Sequence, residues 1–198
     1  MVKGIKQLQI TKLTAEDLLH QEDSLAVEEP LEIKIEFGPD SQRETRNLAI
    51  TMRTPGADFL LASGFLFTEG IIHSYSEIRD ITHCGGLKSK LKGTSNSVKI
   101  SLQPTVELDF NKLSRHFYTT SSCGVCGKAS IDLLETAIKY PPIPNQPVFN
   151  SSILYSLPGI LRNNQSVFEN TGGIHAAGLF DSNGTLIDLQ EDVGRHNA

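Results

Sequence analysis

Apolar and polar residues alternate strictly through Leu31-Glu32-Ile33-Lys34-Ile35-Glu36-Phe37, the period of a strand with one buried face. Leu48, Ile50 and Met52 repeat that period after a polar turn, so the two segments predict a hairpin. Asp58 stands where a helix cap would, before an apolar segment from Phe59 to about Glu69 that Gly70 ends. Apolar residues lie on nearly every side of that segment, which predicts a helix buried all round. Val98, Ile100 and Leu102 give a further strand, after a Gly/Ser/Lys-rich loop from Gly85 to Ser97.

Phe110, Leu113 and Phe117 recur at helical spacing, and a polar turn, Thr119 to Ser122, leads to Cys123-Gly124-Val125-Cys126-Gly127-Lys128. A helix from Ala129 to Ile138 follows, with Ile131, Leu134 and Ile138 on one face. Pro141, Pro142, Pro144 and Pro147 make Tyr140 to Val148 a stiff connector that cannot continue a helix or a central strand. Leu154, Leu157 and Leu161 predict another helix, interrupted at Pro158-Gly159. Ile174 to Phe180 and Thr185 to Leu189 read as two strands joined at Asp181-Ser182-Asn183-Gly184. No internal repeat is visible. Interleaved strands and helices place the chain in the α/β class, or α+β. The expected division is a strand-rich part, residues 1–108, followed by a second part, residues 109–198. The closing run Gly194-Arg195-His196-Asn197-Ala198 reads like the opening of an element, so a truncated sequence is expected.

With 198 residues, 38% of them apolar and 21% charged, the chain can bury a core and is neither fibrous nor disordered. A net charge of −5 with scattered Lys and Arg argues against duplex nucleic acid and anionic membrane as partners. No apolar stretch approaches a membrane span, and Met1 to Ile10 has no continuous apolar core of a signal peptide. The expected compartment is the cytoplasm. Three cysteines, an odd number, suit a reducing compartment where thiols are working groups.

The strongest chemical feature is the pair Cys123 and Cys126. Two intervening residues let both sulfurs face one point, which suits a disulfide, a metal ion or a sulfur atom passed between thiols. A helix N-terminus just beyond would favour thiolate at Cys123, as would a cationic neighbour such as Lys128, Arg115 or His116. Gly124 and Gly127 leave room for a bulky partner. The plainer reading is half of a structural zinc site, which needs two further ligands. Cys84, His83, His175 and His196 could supply them, yet none recurs at paired spacing. A thioredoxin-type redox pair would sit near the start of a βαβ unit, whereas this pair lies beyond the middle of the chain.

Thr171-Gly172-Gly173-Ile174-His175-Ala176-Ala177-Gly178 permits close backbone approach at Gly172 and Gly173, or is simply a tight turn with a core histidine, the reading that residue types alone favour. Glu191-Asp192-Val193-Gly194-Arg195-His196-Asn197 puts acid, base and imidazole within seven residues. It is an ion-paired turn at the least and a ligand-binding turn at the most.

The runs SSCGVCGKAS, TGGIHAAGLF and EDVGRHNA, in this order and spacing, resemble the signatures of the formate dehydrogenase accessory sulfurtransferases, the FdhD family. Met52-Arg53-Thr54-Pro55-Gly56, the segment Gly64 to Ile72, and Glu28-Glu29-Pro30-Leu31 resemble it too. The resemblance implies a sulfur carrier that accepts sulfur from a cysteine desulfurase as a cysteine persulfide. It passes that sulfur to the molybdenum cofactor, a bis-molybdopterin guanine dinucleotide, before the cofactor enters formate dehydrogenase. Cys123 would carry the persulfide, with Cys126 as its partner. Gly172, Gly173, His175, Arg195 and His196 would face the cofactor, a transient ligand rather than a resident group. No protein-bound metal is implied, and a homodimer is compatible with the resemblance. The second part would be similar to the cytidine deaminase fold. Deaminases, however, need H-x-E and P-C-x-x-C, and here His175-Ala176-Ala177 lacks the Glu and no Pro precedes Cys123. Family members continue beyond the EDVGRHNA run, and part of their cofactor-binding surface lies there. Two other readings remain open on residues alone: a zinc-stabilised interaction module, and a nucleotide-binding scaffold in which the glycine and EDVGRHN turns matter more than the thiols.

Overall fold

The computed structural model describes residues 4–85, 95–108, 143–144 and 148–198. Its elements in chain order are strands β1 (Ile5–Leu13), β2 (Leu18–Ala26), β3 (Glu29–Phe37) and β4 (Glu44–Arg53), helix α1 (Asp58–Thr68), and strands β5 (Ile78–His83) and β6 (Ser97–Leu102). Helices α2 (Ser151–Asn164) and α3 (Ser166–Thr171) and strands β7 (His175–Phe180) and β8 (Leu186–Asp192) follow. The fold is α+β. The expected helices around 110–117 and 129–138, the cysteine turn between them and most of the proline connector lie outside the described residues, as does much of the part expected to resemble cytidine deaminase.

Two compact units form, Glu29–Pro141 and Met1–Glu28 with Pro142–Ala198. This differs from a sequential boundary at residue 108. The first hairpin groups with the C-terminal elements because α3 packs on β1 and β2.

In the Glu29–Pro141 unit, four strands run in the order β4-β3-β6-β5. β3 pairs antiparallel with β4 and parallel with β6, while β5 and β6 are antiparallel. The alternation read in the sequence is realised on β3, where Leu31, Ile33 and Ile35 are wholly buried. With Val98, Ile100 and Leu102 of β6 and Ala62 and Leu66 of α1, they form the core.

Three expectations fail here. The helix α1 is buried along one stripe only, and Leu60 and Phe67 stay exposed. On β4, Leu48 is buried but Ile50 is exposed, and Arg53 is buried in its place at the strand end. Asp58 does not cap α1: Ala57 holds the cap position without a side-chain hydrogen bond, and the Asp58 carboxylate turns to Arg53. Gly70 does end the helix turn, in the left-handed conformation at φ +68°. Strand β5 was not legible, because only Ile78 and Ile81 of Ile78-Arg79-Asp80-Ile81-Thr82-His83 are apolar.

The other unit begins with the ribbon β1–β2, paired from Ile5 with Ala26 to Leu13 with Leu18. Apolar residues at 5, 8, 10 and 13 follow no single period, so this ribbon too escaped the sequence pattern. The helix α2 runs straight through Pro158 rather than breaking there. Packing on both sides of the proline compensates its missing N–H. Ile153 and Leu157 lie over Gly184 before it, and Leu161 lies over Gly178 after it. The strands β7 and β8 pair antiparallel as expected. A Cβ at Gly178 would lie 2.8 Å from Leu161 Cδ1, 2.9 Å from Phe180 Cε2 and 3.3 Å from Leu186 Cδ1, closed in on three sides. Gly178→Ala is therefore expected to cost about 1–3 kcal/mol by overpacking, read as a lowered urea midpoint.

Candidate functional site

Pairing β7 with β8 sets His175 opposite Asp192, so the TGGIH and EDVGRHN runs meet at one end of the hairpin. Each run is locked there by backbone hydrogen bonds. Gly172 closes α3 in the left-handed conformation, φ +66°, donating its N–H to Phe168 O at 2.7 Å. Ile174, buried, anchors the next position. The Glu191 carboxylate accepts the N–H groups of Val167 and Phe168, both at 2.9 Å, and so fixes the start of α3. Asp192 Oδ1 accepts the Gly194 N–H at 2.7 Å. The Gly194 carbonyl in turn accepts from Asn197 and Ala198 at 2.8 and 3.1 Å. The two acids of the run thus shape backbone.

Exposed at this end are His175, Arg195 and His196. A core histidine, favoured by residue types, is not what the structure holds at 175. Two imidazoles and a guanidinium beside a glycine turn make a donor-rich end suited to phosphate or carboxylate groups. A Cβ at Gly173 would meet only Thr171 O, at 3.8 Å, so a side chain there has space. Gly173→Val is accordingly expected to melt within a few degrees of the parent and to lose guanine-nucleotide affinity severalfold, measured by titration calorimetry. Unchanged affinity would make this a structural turn. Cys123 and Cys126, the residues expected to react, lie outside the described residues.

The sequence reading missed a second group of side chains, in the other unit. Arg53 is fully buried. Its Nε and Nη2 donate to Asp58 Oδ1 and Oδ2 at 2.8 and 3.2 Å, a two-point ion pair. Its Nη2 also donates to Asn96 Oδ1 at 3.0 Å, and its Nη1 to Glu29 O at 3.4 Å. The Glu29 carboxylate lies 3.8 Å from Nη1. From the end of β5, His83 Nε2 lies 3.0 Å from Asp58 Oδ2. Burial pushes the Asp58 carboxyl up. The hydrogen bonds from Arg53 and His83, the charge of Arg53 and the Gly56 N–H outweigh it and hold the carboxyl below the ordinary aspartate range. The signal in the sequence is Arg53 five residues before Asp58, across Thr54-Pro55-Gly56, a turn short enough to face the two charges.

Next to His83, Cys84 Sγ lies 3.2 Å from Ser97 Oγ, whose hydrogen is committed to Glu32 Oε2 at 3.0 Å. The serine oxygen is left to accept from the thiol, so the Cys84 hydrogen is engaged inside the protein. Cys84 is therefore expected to alkylate at neutral pH at least tenfold more slowly than Cys123, followed by peptide mass mapping with iodoacetamide. Similar rates would remove the distinction. Among the described residues no three His, Cys, Asp or Glu side chains converge as metal ligands.

Comparison with known proteins bears on both parts of the chain. The model of the FdhD/NarQ family matches residues 26–198. The sulfur carrier protein FdhD of Streptomyces coelicolor is 46% identical over 177 residues, covering 89% of this chain and 60% of that protein. The protein of the same name from Mycolicibacterium paratuberculosis is 40% identical over 189 residues, 96% of this chain and 66% of its own. That from Picrophilus torridus is 42% identical over 177 residues, 89% of this chain and 61% of its own. The chain thus spans roughly three fifths to two thirds of the relatives it matches. A crystal structure described as a formate dehydrogenase accessory protein from Desulfotalea psychrophila shares the fold. Its TM-score is 0.66 at 20% identity, over 98% of this chain and 65% of that one.

Proposed function

The chain belongs to the FdhD/NarQ family, and from that premise we propose that it is a sulfur carrier, a sulfurtransferase serving formate dehydrogenase. The observation that carries the reading is the Cys123-Gly124-Val125-Cys126 motif in the sequence of a chain 46% identical to a protein named as a sulfur carrier. In this reading the Cys123 thiolate attacks the outer sulfur of a persulfide on a cysteine desulfurase. The donor's S–S bond breaks, a new one forms on Cys123, and the desulfurase leaves as its thiol. Cys126 then relays the sulfur, or releases it by closing a disulfide with Cys123.

The acceptor is the molybdenum cofactor, bis-molybdopterin guanine dinucleotide, handled as cargo. The hairpin end with Gly172, Gly173, His175, Arg195 and His196 has the donors for its phosphates. Catalysis by this chain needs no resident metal or cofactor, and the cytoplasm, where desulfurases act on reduced thiols, is the compartment that suits it. No helix among the described residues is long and apolar enough to cross a membrane. Incubation with a cysteine desulfurase and cysteine should add about one sulfur atom's mass per chain, removed by a thiol reductant and read by intact-mass spectrometry. No adduct under conditions where the desulfurase itself turns over would overturn the reading.

A further inference from the structure

Asp192 stands at the junction of the two runs that make the donor-rich hairpin end. The register sets it opposite His175, so the two side chains leave the hairpin on the same face. Asp192 is 5% exposed, while His175 across the hairpin and Arg195 and His196 just beyond it are exposed. A buried carboxylate needs hydrogen-bond donors, and Oδ1 takes the Gly194 N–H at 2.7 Å. The last turn of chain is built on that contact. The Gly194 carbonyl accepts from the N–H groups of Asn197 and Ala198 at 2.8 and 3.1 Å, so the backbone winds back on itself with Arg195 and His196 exposed on it. Packing is close at this point: a Cβ on Gly194 would lie 2.8 Å from Asn197 Nδ2 and 3.3 Å from Asp192 Oδ1. One residue is therefore held at both ends, by Asp192 on its N–H and by the turn on its carbonyl. That fixes the backbone from which the guanidinium and the second imidazole project.

The negative charge of Asp192 by itself opposes an anion at this end. Its ordering effect works the other way, because a turn already held in place loses less freedom when a ligand arrives. We propose that Asp192 is a positioning residue for the phosphates of the cargo: through the Gly194 N–H it holds the turn that presents Arg195 and His196 to them. The inference rests on the reading of this hairpin end as the phosphate site of the cargo. The acceptor oxygen of Asp192 does this, not its charge, and mutation separates the two.

The test uses the full chain and GDP, which carries guanosine and two linked phosphates, in titration calorimetry, with a thermal melt of each protein alongside. Asp192→Asn keeps an oxygen for the Gly194 N–H and removes the charge, whereas Asp192→Ala removes both. The alanine protein should bind GDP about tenfold more weakly than the parent, the scale of ordering a turn and its side chains at binding rather than before it. The asparagine protein should recover the parent's affinity or exceed it, since the acceptor is kept and the repulsion is gone. The melts read what the bond contributes to stability, and the affinities of the folded proteins read the positioning. Asp192→Val, close to aspartate in shape and suited to a strand, is the second variant should the alanine protein fail to fold. Alanine or valine proteins that bind GDP as the parent does would overturn the positioning role and leave the hairpin end standing as the phosphate site. An asparagine protein as weak as the alanine one would overturn it too, because the acceptor oxygen would then not be the group that matters. No GDP binding by the parent would overturn both the site and the role of Asp192 in it.

Discussion

Cys123→Ser should lose most of the sulfur adduct formed with a cysteine desulfurase and all support of formate dehydrogenase in cells, the largest effect expected of any single change in this chain. A serine hydroxyl at neutral pH is far from ionised and forms no persulfide, so removing one sulfur removes the group that is transferred. Cys84→Ser is the internal control. The Cys84 thiol is tied through Ser97 to Glu32, and its loss should leave both adduct and enzyme support intact. Cys126→Ser distinguishes the two release routes. An adduct that forms and persists while formate dehydrogenase stays inactive would assign Cys126 to delivery. Full enzyme activity in cells holding only the Cys123→Ser protein would remove that residue from the mechanism. The measurement pairs intact mass with formate-dependent dye reduction in the same cells.

Replacing Arg53 by leucine should be the most destabilising substitution in the described part of the chain, at about 3–5 kcal/mol. That is the usual cost of leaving a buried partner charge uncompensated. In a chain of this length the loss corresponds to roughly 6–20 °C in melting temperature. The guanidinium ties the end of β4 to the start of α1, to Asn96 ahead of β6 and to Glu29 of β3. One residue thereby holds four segments. The pH dependence carries its own sign. Asp58 is held below its ordinary value of 3.8 in the folded state. The stability it contributes is present in full above that unfolded value and is lost as the pH falls through the lower folded one. In the leucine variant the burial that pushes the carboxyl up is no longer opposed by Arg53, so this acid-side loss should shrink, and it turns into an acid-side gain once the folded value passes the unfolded one. Urea midpoints between pH 3 and pH 7 would show it. A leucine protein as stable as the parent at every pH would mean that Arg53 and Asp58 are not coupled as their geometry requires.

Local patterns were enough wherever one physical period governed a segment. Strict alternation along Leu31 to Phe37 marked β3 because every second residue meets the same core. The Asp181–Gly184 turn marked the β7–β8 hairpin for the same reason: a tight connection needs residues that tolerate its backbone, and Gly184 indeed sits at φ +82°. The chemical candidates were also readable one by one, as the thiol pair and the two glycine- and charge-rich runs. How those runs relate was not. His175 and Asp192 stand seventeen residues apart in the chain and face each other only because antiparallel register brings them together. Glu191 and Asp192 looked like partners for nearby cations, whereas the fold gives them unsatisfied amides at the start of α3 and at Gly194, which compete for the same oxygens. Pro158 looked like a helix break until packing on both sides of it outweighed one lost hydrogen bond. Asp58 looked like a cap, and its carboxylate went to the buried guanidinium instead, a charge that could not be left alone in the interior. Periodicity reports what a residue's neighbours along the chain require. The assignment of Arg53, Asp58 and His83 to one cluster depended on desolvation and long-range pairing, which exist only once the strands have met.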